Sequence, residues 1–361
     1  MNKPDKSKFP KWPVLAAVIA IVVSIAAAAV VFRVTEPQKE APKFEMKVER
    51  IETPAQLKDF PDLPKDVKNA FDLAKFHFFA PVEWWYVNAH LKDVEGNPFT
   101  LMFALLKNGA LFGVITDVKA QRTVPIALTN QRVHQDGVKR KFTVGPSSIT
   151  QPDAARLCYQ LVLDQPAIGV DLEFCATKAP LAVNGTGEIQ MGKAGKSAYF
   201  SITRAKVQGT GRHGERESRL SGTGWIDRQW GGWADTDFDR WDWMSLQIDG
   251  GGELLVFVFT LDGKVVHQIA NYYPPEGEVE HGMDFTLTPT ATWTSPATKA
   301  TWDTAWTFAV PSRKATVTVT ADVPSSEVDP VLWEGSVRFD GTWDGKPVTG
   351  QGFFEERRKT W

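Results

Sequence analysis

The feature that most constrains the fold is an alternation of apolar and polar residues that begins near Trp84 and runs to the C-terminus. The alternating segments are rich in β-branched and aromatic residues, and turn sequences such as EGNP, DGGG and WDGK separate them. No amphipathic helical pattern comes between them in the sequence. The pattern therefore predicts an all-β protein of antiparallel strands, with sandwich or barrel architecture.

The N-terminus carries a different signal. Four lysines occur within residues 1–12, and residues 13–32 form a run of 20 residues without a charged side chain. About 20 apolar residues span a bilayer as a helix, and lysines before the run favour a cytoplasmic N-terminus. We expect a cytoplasmic tail (1–12) and a transmembrane signal-anchor (13–33), with the folded part periplasmic or otherwise extracytoplasmic. A cleaved signal peptide is the alternative, because small residues occur at 24–28.

Composition divides the remaining chain into a linker and two domains. Residues 34–75 are rich in Pro, Lys, Glu and Asp, and predict a linker with one short helix near 65–73. The polar segment 211–222 predicts a crossing between a first domain, 76–220, and a second, 221–361. On this division, residues 224–230 form the first strand of the second domain.

The two cysteines predict a cross-strand disulfide. Cys158 and Cys175 lie in two alternating segments around a turn at residues 164–169. In an antiparallel hairpin centred there, they stand directly opposite each other. The sequence therefore predicts a bridge if the compartment is oxidising.

The stretch VEWWYVNAHL, residues 82–91, is the first candidate site. On a strand, Trp84 and Tyr86 share one face, and Glu83 and Trp85 share the other. Apolar surroundings would raise the pKa of Glu83 and make it a candidate acid. The alternative is that Glu83 pairs with an arginine.

The stretch GTGWIDRQWGGW, residues 222–233, is the second candidate. Alternation places Arg228 and Trp230 on one face and Asp227 on the other, so Asp227 and Arg228 are not simply one ion pair. Arg228 would lie beside an indole as a cation. Asp227 is a candidate catalytic carboxyl.

The segment RWDWMSLQI, residues 240–248, is the third candidate. Asp242 lies between Trp241 and Trp243 and shares a face with Met244 and Leu246. A carboxyl on an apolar face needs a partner or a proton, so Asp242 is either an acid or an ion-pair partner. The candidate partners are Arg204, Arg228 and Arg240.

The segment SAYFSITRAKVQGTG, residues 197–211, is the fourth candidate. Strict alternation places Tyr199 on one face, and places Arg204 on the other with Phe200 and Ile202. Arg204 would then point from an apolar face towards a buried acid.

Taken in order, these motifs and LWEGSVRFDG resemble the family of AttH-like proteins and carotenoid 1,2-hydratases (hydroxyneurosporene synthases, the CrtC family) over about residues 77–355. The resemblance implies two lipocalin-like β-barrel domains side by side, with an apolar cavity near their junction. Relatives include hydratases of terpenoid or isoflavonoid double bonds, cyclases, and secreted or anchored bacterial proteins encoded near export systems.

Two residues depart from the hydratase pattern. Hydratases that share DRQWG carry a histidine where this chain has Arg228, and a tyrosine where it has Phe353. An arginine cannot act as a general acid near neutral pH. These departures favour the AttH-like branch over the hydratases.

The sequence supports a preferred function and two alternatives. The preferred one is an envelope-anchored protein that binds a hydrophobic lipid or isoprenoid, with a role in transport or export and an export complex as partner. One alternative is a hydro-lyase or cyclase that acts on an isoprenoid double bond, with Glu83, Asp242 and Asp227 as candidate acids. The other is a structural partner in a membrane complex. The predicted ligand-binding residues are Trp84, Trp85, Tyr86, Tyr199, Arg204, Arg228, Trp230, Trp241 and Trp243.

The sequence predicts no metal, cofactor or nucleic-acid partner. It has no paired His or Cys spacing typical of zinc, no GxSxG motif and no long basic run.

Overall fold

The computed structural model describes residues 56–60, 63–165, 168–192, 195–213, 216–233 and 238–359. The predicted cytoplasmic tail, the signal-anchor at 13–33 and the first part of the linker lie outside these ranges. Among the described residues, no helix is long and apolar enough to cross a bilayer.

The described residues form two curled antiparallel half-barrel sheets, which confirms the all-β prediction. The first sheet contains β1 (Val82–Asp93), β2 (Pro98–Leu106), β3 (Leu111–Asp117), β4 (Arg122–Leu128), β5 (Val133–Asp136), β6 (Lys141–Val144), β7 (Ser147–Thr150), β8 (Cys158–Asp164), β9 (Ile168–Ala176), β10 (Leu181–Ala182), β11 (Glu188–Met191), β12 (Gly195–His213) and β13 (Arg216–Gly232). Its main strand order is β4-β3-β2-β1-β13-β12-β9-β8-β7-β6-β5, and β10 and β11 pair with β12.

The second sheet contains β14 (Arg240–Ile248), β15 (Glu253–Leu261), β16 (Lys264–Tyr273), β17 (Glu280–His281), β18 (Thr286–Thr294), β19 (Thr301–Val310), β20 (Ala315–Ala321), β21 (Glu327–Asp329), β22 (Leu332–Trp343) and β23 (Lys346–Arg358). Its main order is β17-β16-β15-β14-β23-β22-β20-β19-β18, and β21 pairs with β22.

The strand β13 corrects the interpretation of residues 224–230. It pairs with β1 on one side and with β12 on the other, so it is a central strand of the first sheet and not the first strand of the second. The polar segment at 211–222 belongs to the long β12–β13 hairpin. Its polar residues suit strand ends that extend beyond the core. A polar sequence pattern alone does not distinguish such strand ends from a crossing between domains.

Each sheet encloses its own core, and a third core lies between them. The first core includes Trp85 and Phe174, and the second includes Trp302 and Trp306. Strands of both sheets contribute to the third core, which includes Tyr86, Tyr199, Trp225 and further aromatic residues of β14 and β15. We call this boundary between the two sheets the seam. The central parts of β1, β12 and β13 therefore bury both of their faces.

One helix, α1 (Lys65–Ala70), precedes the strands, as the sequence predicts. Val67 and Phe71 are buried against the first core, and the phenolic hydroxyl of Tyr159 donates to the Phe71 carbonyl oxygen at 2.6 Å. This segment is therefore a packed part of the first sheet's core.

Cys158 and Cys175 pair directly across β8 and β9, which confirms the predicted register. A disulfide joins them. Both cysteines are buried, so the bridge connects these strands inside the protein.

Candidate functional site

The alternation along β13 sends Asp227 and Arg228 to different compartments. Arg228 points into the first core beside Trp85, and Asp227 points towards the second sheet beside Trp225. The strand therefore separates two buried polar sites that are adjacent in sequence.

The Arg228 site is an ion pair with Glu83, which confirms one of the two interpretations of that carboxyl. The guanidinium hydrogen-bonds to Glu83, and Nη1 donates to the Trp84 carbonyl oxygen at 3.0 Å. Its central carbon lies 4.7 Å from the Trp85 ring centroid and 5.2 Å from that of Trp230. Arg228 is only 1% exposed, so both the charge and the side chain are deeply enclosed.

His77 and Lys107 complete this site. His77 Nδ1 lies 3.2 Å from Glu83 Oε1 and stacks on Trp230 with ring centroids 3.7 Å apart. Lys107 Nζ lies 3.8 Å from Glu83 Oε2. Burial would raise the pKa of Glu83, but the His77 hydrogen bond and the Arg228 charge lower it below its usual value. Glu83 is therefore ionised near neutral pH and poorly suited to donate a proton.

Asp242 belongs to an ion network in the second sheet. Arg240 Nε donates to Asp242 at 2.8 Å, and the same guanidinium contacts Asp303 at 2.7 Å and Glu356 at 3.3 Å. Burial raises the pKa of Asp242 to about 7, against the lowering effect of Arg240. Of the three candidate partners, Arg240 is the one that contacts Asp242. Asp242 and Trp243 lie on opposite faces of β14.

A second buried polar site lies between the sheets. Asp227 accepts hydrogen bonds from the Tyr199 hydroxyl at 2.6 Å, the Ser201 hydroxyl at 2.5 Å and Trp225 Nε1 at 2.6 Å. Trp243 Nε1, on the second sheet, donates to the Tyr199 oxygen at 2.6 Å. A relay of hydrogen bonds therefore crosses the seam and ends on Asp227.

Two further carboxyls reach this seam from the second sheet. Glu334 and Glu355 stand opposite each other on β22 and β23, and the charge of Glu355 raises the pKa of Glu334. The Tyr86 hydroxyl donates to Glu334 Oε1 at 2.5 Å, and Trp241 Nε1 donates to Glu355. We refer to Asp227, Glu334 and Glu355 as the inter-sheet acid cluster.

The pKa values of all three acids of the inter-sheet acid cluster are raised. Burial raises the pKa of Asp227 to about 7, although its three hydrogen-bond donors lower it, and Glu355 raises it further. Burial also raises the pKa of Glu334 well above its usual value, and the charge of Glu355 adds to that effect. Burial raises the pKa of Glu355 as well. The site therefore favours a proton on Glu334 near neutral pH and lets Asp227 titrate near neutral pH, in aromatic surroundings.

Seven of the nine predicted ligand-binding residues lie at one of the two sites. Tyr86, Tyr199, Trp241 and Trp243 surround the inter-sheet acid cluster. Trp84 is partly exposed and meets Trp233 edge to face at 5.6 Å. The residues that lie on the other side of the first sheet, at the Arg228 site, are Trp85, Arg228 and Trp230.

Strict alternation places Arg204 on the wrong face, although the prediction that Arg204 meets a buried acid is confirmed. A register shift between Ile202 and Ala205 interrupts β12, and Arg204 reaches the second sheet, where Nε donates to Glu253 Oε1 at 2.5 Å. Lys178 Nζ donates to the same carboxylate at 2.6 Å. The extra residue of a β-bulge reverses the face on which the subsequent residues lie. Arg204 therefore connects the two sheets through Glu253.

Sequence reasoning missed Glu334, Glu355 and His77. The available signal for the two glutamates was a charged residue within an apolar strand, in LWEGSVRF and GFFEERR. Alternation could have placed them on inward faces, but not opposite β1 and β13.

An open groove of about 670 Å³ lies farther along the same seam. Its lining includes His90, Thr223 and Gln351, and His90 shares the face of β1 that carries Tyr86. Its volume is in the range typical of small-molecule sites.

The sequence matches a known family, and the fold is similar to those of two solved proteins. The sequence model of the AttH-like family matches residues 68–355. An AttH protein from Nitrosomonas europaea has a similar structure, with 21% identity and a TM-score of 0.67 over 78% of this chain and 93% of its own. Kievitone hydratase from Nectria haematococca has 16% identity and a TM-score of 0.71 over 86% of this chain and 97% of its own. At these identities the likeness shows a common fold. No curated protein matches the sequence.

Proposed function

Because this chain belongs to the AttH-like family, we propose that it binds a hydrophobic lipid or isoprenoid at the seam between its sheets and adds water to a double bond of that ligand. The observation that carries this proposal is the inter-sheet acid cluster, with its raised pKa values and aromatic surroundings. One structural neighbour is named a hydratase, which agrees with this proposal, although the name describes the neighbour and not this chain.

The chemistry needs a proton donor, a sheltered cation and a water molecule. In the proposed step, the π electrons of the double bond take the proton of Asp227, which leaves a carboxylate and a carbocation. In this proposal the aromatic side chains around the inter-sheet acid cluster stabilise the cation. Water adds to the cation, and its proton returns to the carboxylate, so the acid is regenerated.

Arg228 has a structural part in this proposal. Its charge is already paired with Glu83, on the face of β13 opposite to Asp227. The pair joins β1 to β13 next to Trp84 and so positions the strands that carry Tyr86 and Asp227. Asp227 replaces Glu83 and Asp242 as the preferred acid.

A second candidate function is binding and delivery without chemistry. It is favoured by the three hydrogen bonds on Asp227, which occupy its oxygen atoms with protein donors. In this case the aromatic residues would hold the ligand and the acids would only connect the two sheets.

We further propose that residues 13–33 anchor the protein in a membrane, with the folded part in an extracytoplasmic space and an export complex as a partner. The uncharged run in the sequence supports the anchor, and the Cys158–Cys175 bridge suits an oxidising compartment. Mass spectrometry of the mature N-terminus tests the anchor, and a start near residue 30 would contradict it.

The test of the main proposal starts with lipids that co-purify with the full chain, identified by solvent extraction and mass spectrometry. The identified unsaturated ligand is then incubated with protein in ¹⁸O-labelled water, and the product is examined for one labelled oxygen. Asp227→Asn should abolish incorporation, while Asp242→Asn, outside the inter-sheet acid cluster, should retain it. A bound ligand that never gains oxygen would support delivery instead.

A further inference from the structure

The segment KFHFFAP, residues 75–81, presents three phenylalanines to solvent just before β1. Phe76 is 40% exposed, Phe78 is 74% exposed and Phe79 is 94% exposed. The Phe78 ring meets those of Phe76 and Phe79 edge to face, with centroids 6.5 and 5.4 Å away. The three rings therefore form one continuous apolar patch, which we call the aromatic loop.

The protein holds the aromatic loop in this outward position. Lys107 Nζ donates to the carbonyl oxygens of His77 at 2.8 Å, Phe78 at 3.0 Å and Ala80 at 2.9 Å. The same ammonium lies 4.7 Å from the centroid of the Phe76 ring. His77, within the loop, is stacked inward on Trp230. The exposure of the phenylalanines is thus fixed by specific contacts, although exposed apolar area is unfavourable in water.

The neighbourhood of the aromatic loop adds an exposed valine and two exposed lysines, one of which, Lys139, lies 3.7 Å from Asp136. Lys75 is exposed at its start, and Gln135 Nε2 donates to the Lys75 carbonyl oxygen at 3.4 Å, which brings the β5–β6 turn beside it. In that turn Val138 is 95% exposed, and the Lys139 side chain is 78% exposed. Apolar side chains flanked by lysines suit the boundary between acyl chains and anionic headgroups.

The sequence also places a bilayer within reach. The uncharged run ends at residue 32, and the first described residue is Gln56. The segment between residue 32 and Gln56 spans at most about 80 Å when it is fully extended. If residues 13–33 anchor the protein, as proposed above, this short connection keeps the aromatic loop at a high effective concentration near the membrane.

We propose that the aromatic loop docks on the lipid bilayer, with Phe78 and Phe79 inserted at the headgroup boundary. This contact is separate from the anchor and orients the folded part on the membrane surface. The inference goes beyond the proposed chemistry and rests on the proposed anchorage only for the proximity of the bilayer.

The test uses the full chain in nanodiscs of phosphatidylcholine and phosphatidylglycerol that hold one copy each. Because the sequence contains only the two bridged cysteines, an introduced cysteine is a single labelling site. An environment-sensitive fluorophore is attached in Phe79→Cys, in Val138→Cys and, as the matched control on the second sheet, in Val265→Cys, where the native valine is 58% exposed. Nitroxide lipids should quench the label at 79 severalfold more strongly than the label at 265.

A second variant keeps the test independent of the labelled phenylalanine. With the label at position 138, Phe78→Asp combined with Phe79→Asp should remove the quenching, whereas Val266→Asp should leave it unchanged. Embedded chains with no quenching at 79 and 138 would overturn the docking proposal and leave the anchorage intact. If label 79 is shielded only in discs prepared to hold two copies, and not in the single-copy discs, the aromatic loop is a contact between copies, and the proposal is also wrong.

A chain that fails to embed would contradict the anchorage alone. Docking is then measured by co-sedimentation of the same protein with vesicles of the same lipids. The double Asp variant should bind about tenfold or more weakly than the wild type, because two apolar side chains no longer leave water. Equal binding would overturn the proposal.

Discussion

Asp227 and Arg228 are consecutive in sequence, yet they serve separate buried sites on the two faces of β13. Arg228 pairs with Glu83 inside the first sheet's core, while Asp227 accepts three hydrogen bonds at the seam between the sheets. One strand thus keeps a permanently charged pair apart from a carboxyl whose pKa is raised to about 7.

The first prediction concerns the pH dependence of turnover. A carboxyl donates a proton only in its protonated form, so turnover should be high below pH about 7 and fall as pH rises through the pKa of Asp227. Initial rates of labelled-oxygen incorporation between pH 5 and 9 measure this. Asp227→Asn should reduce the rate by about 10²-fold or more at every pH. A rate that increases with pH would assign Asp227 a different role.

The second prediction concerns the pH dependence of stability. The pKa of Asp227 is raised in the folded state, so the stability it contributes is present below pH about 4 and is lost as pH rises to about 7. Asp227→Asn does not titrate, so its stability relative to the wild type should rise over this window. The slope is on the order of 1 kcal/mol per pH unit.

Urea unfolding at pH 4.5, 6 and 7.5 measures that difference. Asp340→Asn, at an exposed position of β22, is the control. Its free energy of unfolding should differ from that of the wild type by the same amount at all three pH values. A constant difference between wild type and Asp227→Asn across the three pH values would contradict the raised pKa.

The third prediction concerns the buried pair of Glu83 and Arg228. Glu83→Gln leaves a buried guanidinium without its counter-charge and should lower the free energy of unfolding by about 3–5 kcal/mol. Arg228→Met should do the same, and the double variant should lose less than the sum. Denaturant unfolding of the four proteins gives the coupling energy.

The exposed pair of Lys196 and Glu188 provides the control for that cycle. Its atoms lie 2.6 Å apart, but the two side chains are 63% and 58% exposed. Its coupling energy should be below about 1 kcal/mol. Equal coupling in the two pairs would show that burial does not strengthen the Glu83–Arg228 interaction.

The fourth prediction concerns Glu253, which joins the sheets. Its buried carboxylate accepts from Arg204 of the first sheet and from Lys178. Glu253→Gln leaves two cations with one neutral partner and should destabilise the protein by about 3 kcal/mol. Thermal unfolding and hydrogen exchange should show the loss in both β12 and β15. Unchanged exchange in β12 would argue against a connection between the sheets.

The fifth prediction concerns the disulfide. Cys158 and Cys175 are separated by 17 residues in sequence. Replacing both with serine should lower the free energy of unfolding by about 3 kcal/mol, mainly through the entropy of the unfolded chain. Thermal unfolding should become insensitive to reductant in the variant. A wild type that is equally insensitive would show that the bridge does not form.

Local alternation predicted much of the arrangement around both sites. It separated Tyr86 from Glu83 on β1 and Asp227 from Arg228 on β13, because successive side chains of a strand point to opposite faces. The same reasoning paired Cys158 with Cys175 across a short hairpin. It failed at Arg204, where a bulge within β12 reversed the face.

The sequence by itself determined the all-β class, the faces of individual strands, the cysteine pairing and the family. Only the tertiary structure decided that β13 is a central strand of the first sheet, that Glu83 and not Asp242 partners Arg228, and that Glu334 and Glu355 join Asp227. The physical reason is the separation along the chain over which each property is decided. Alternation is a property of neighbouring residues, whereas strand order and the packing of one sheet on another depend on the burial of surfaces more than 100 residues apart along the chain.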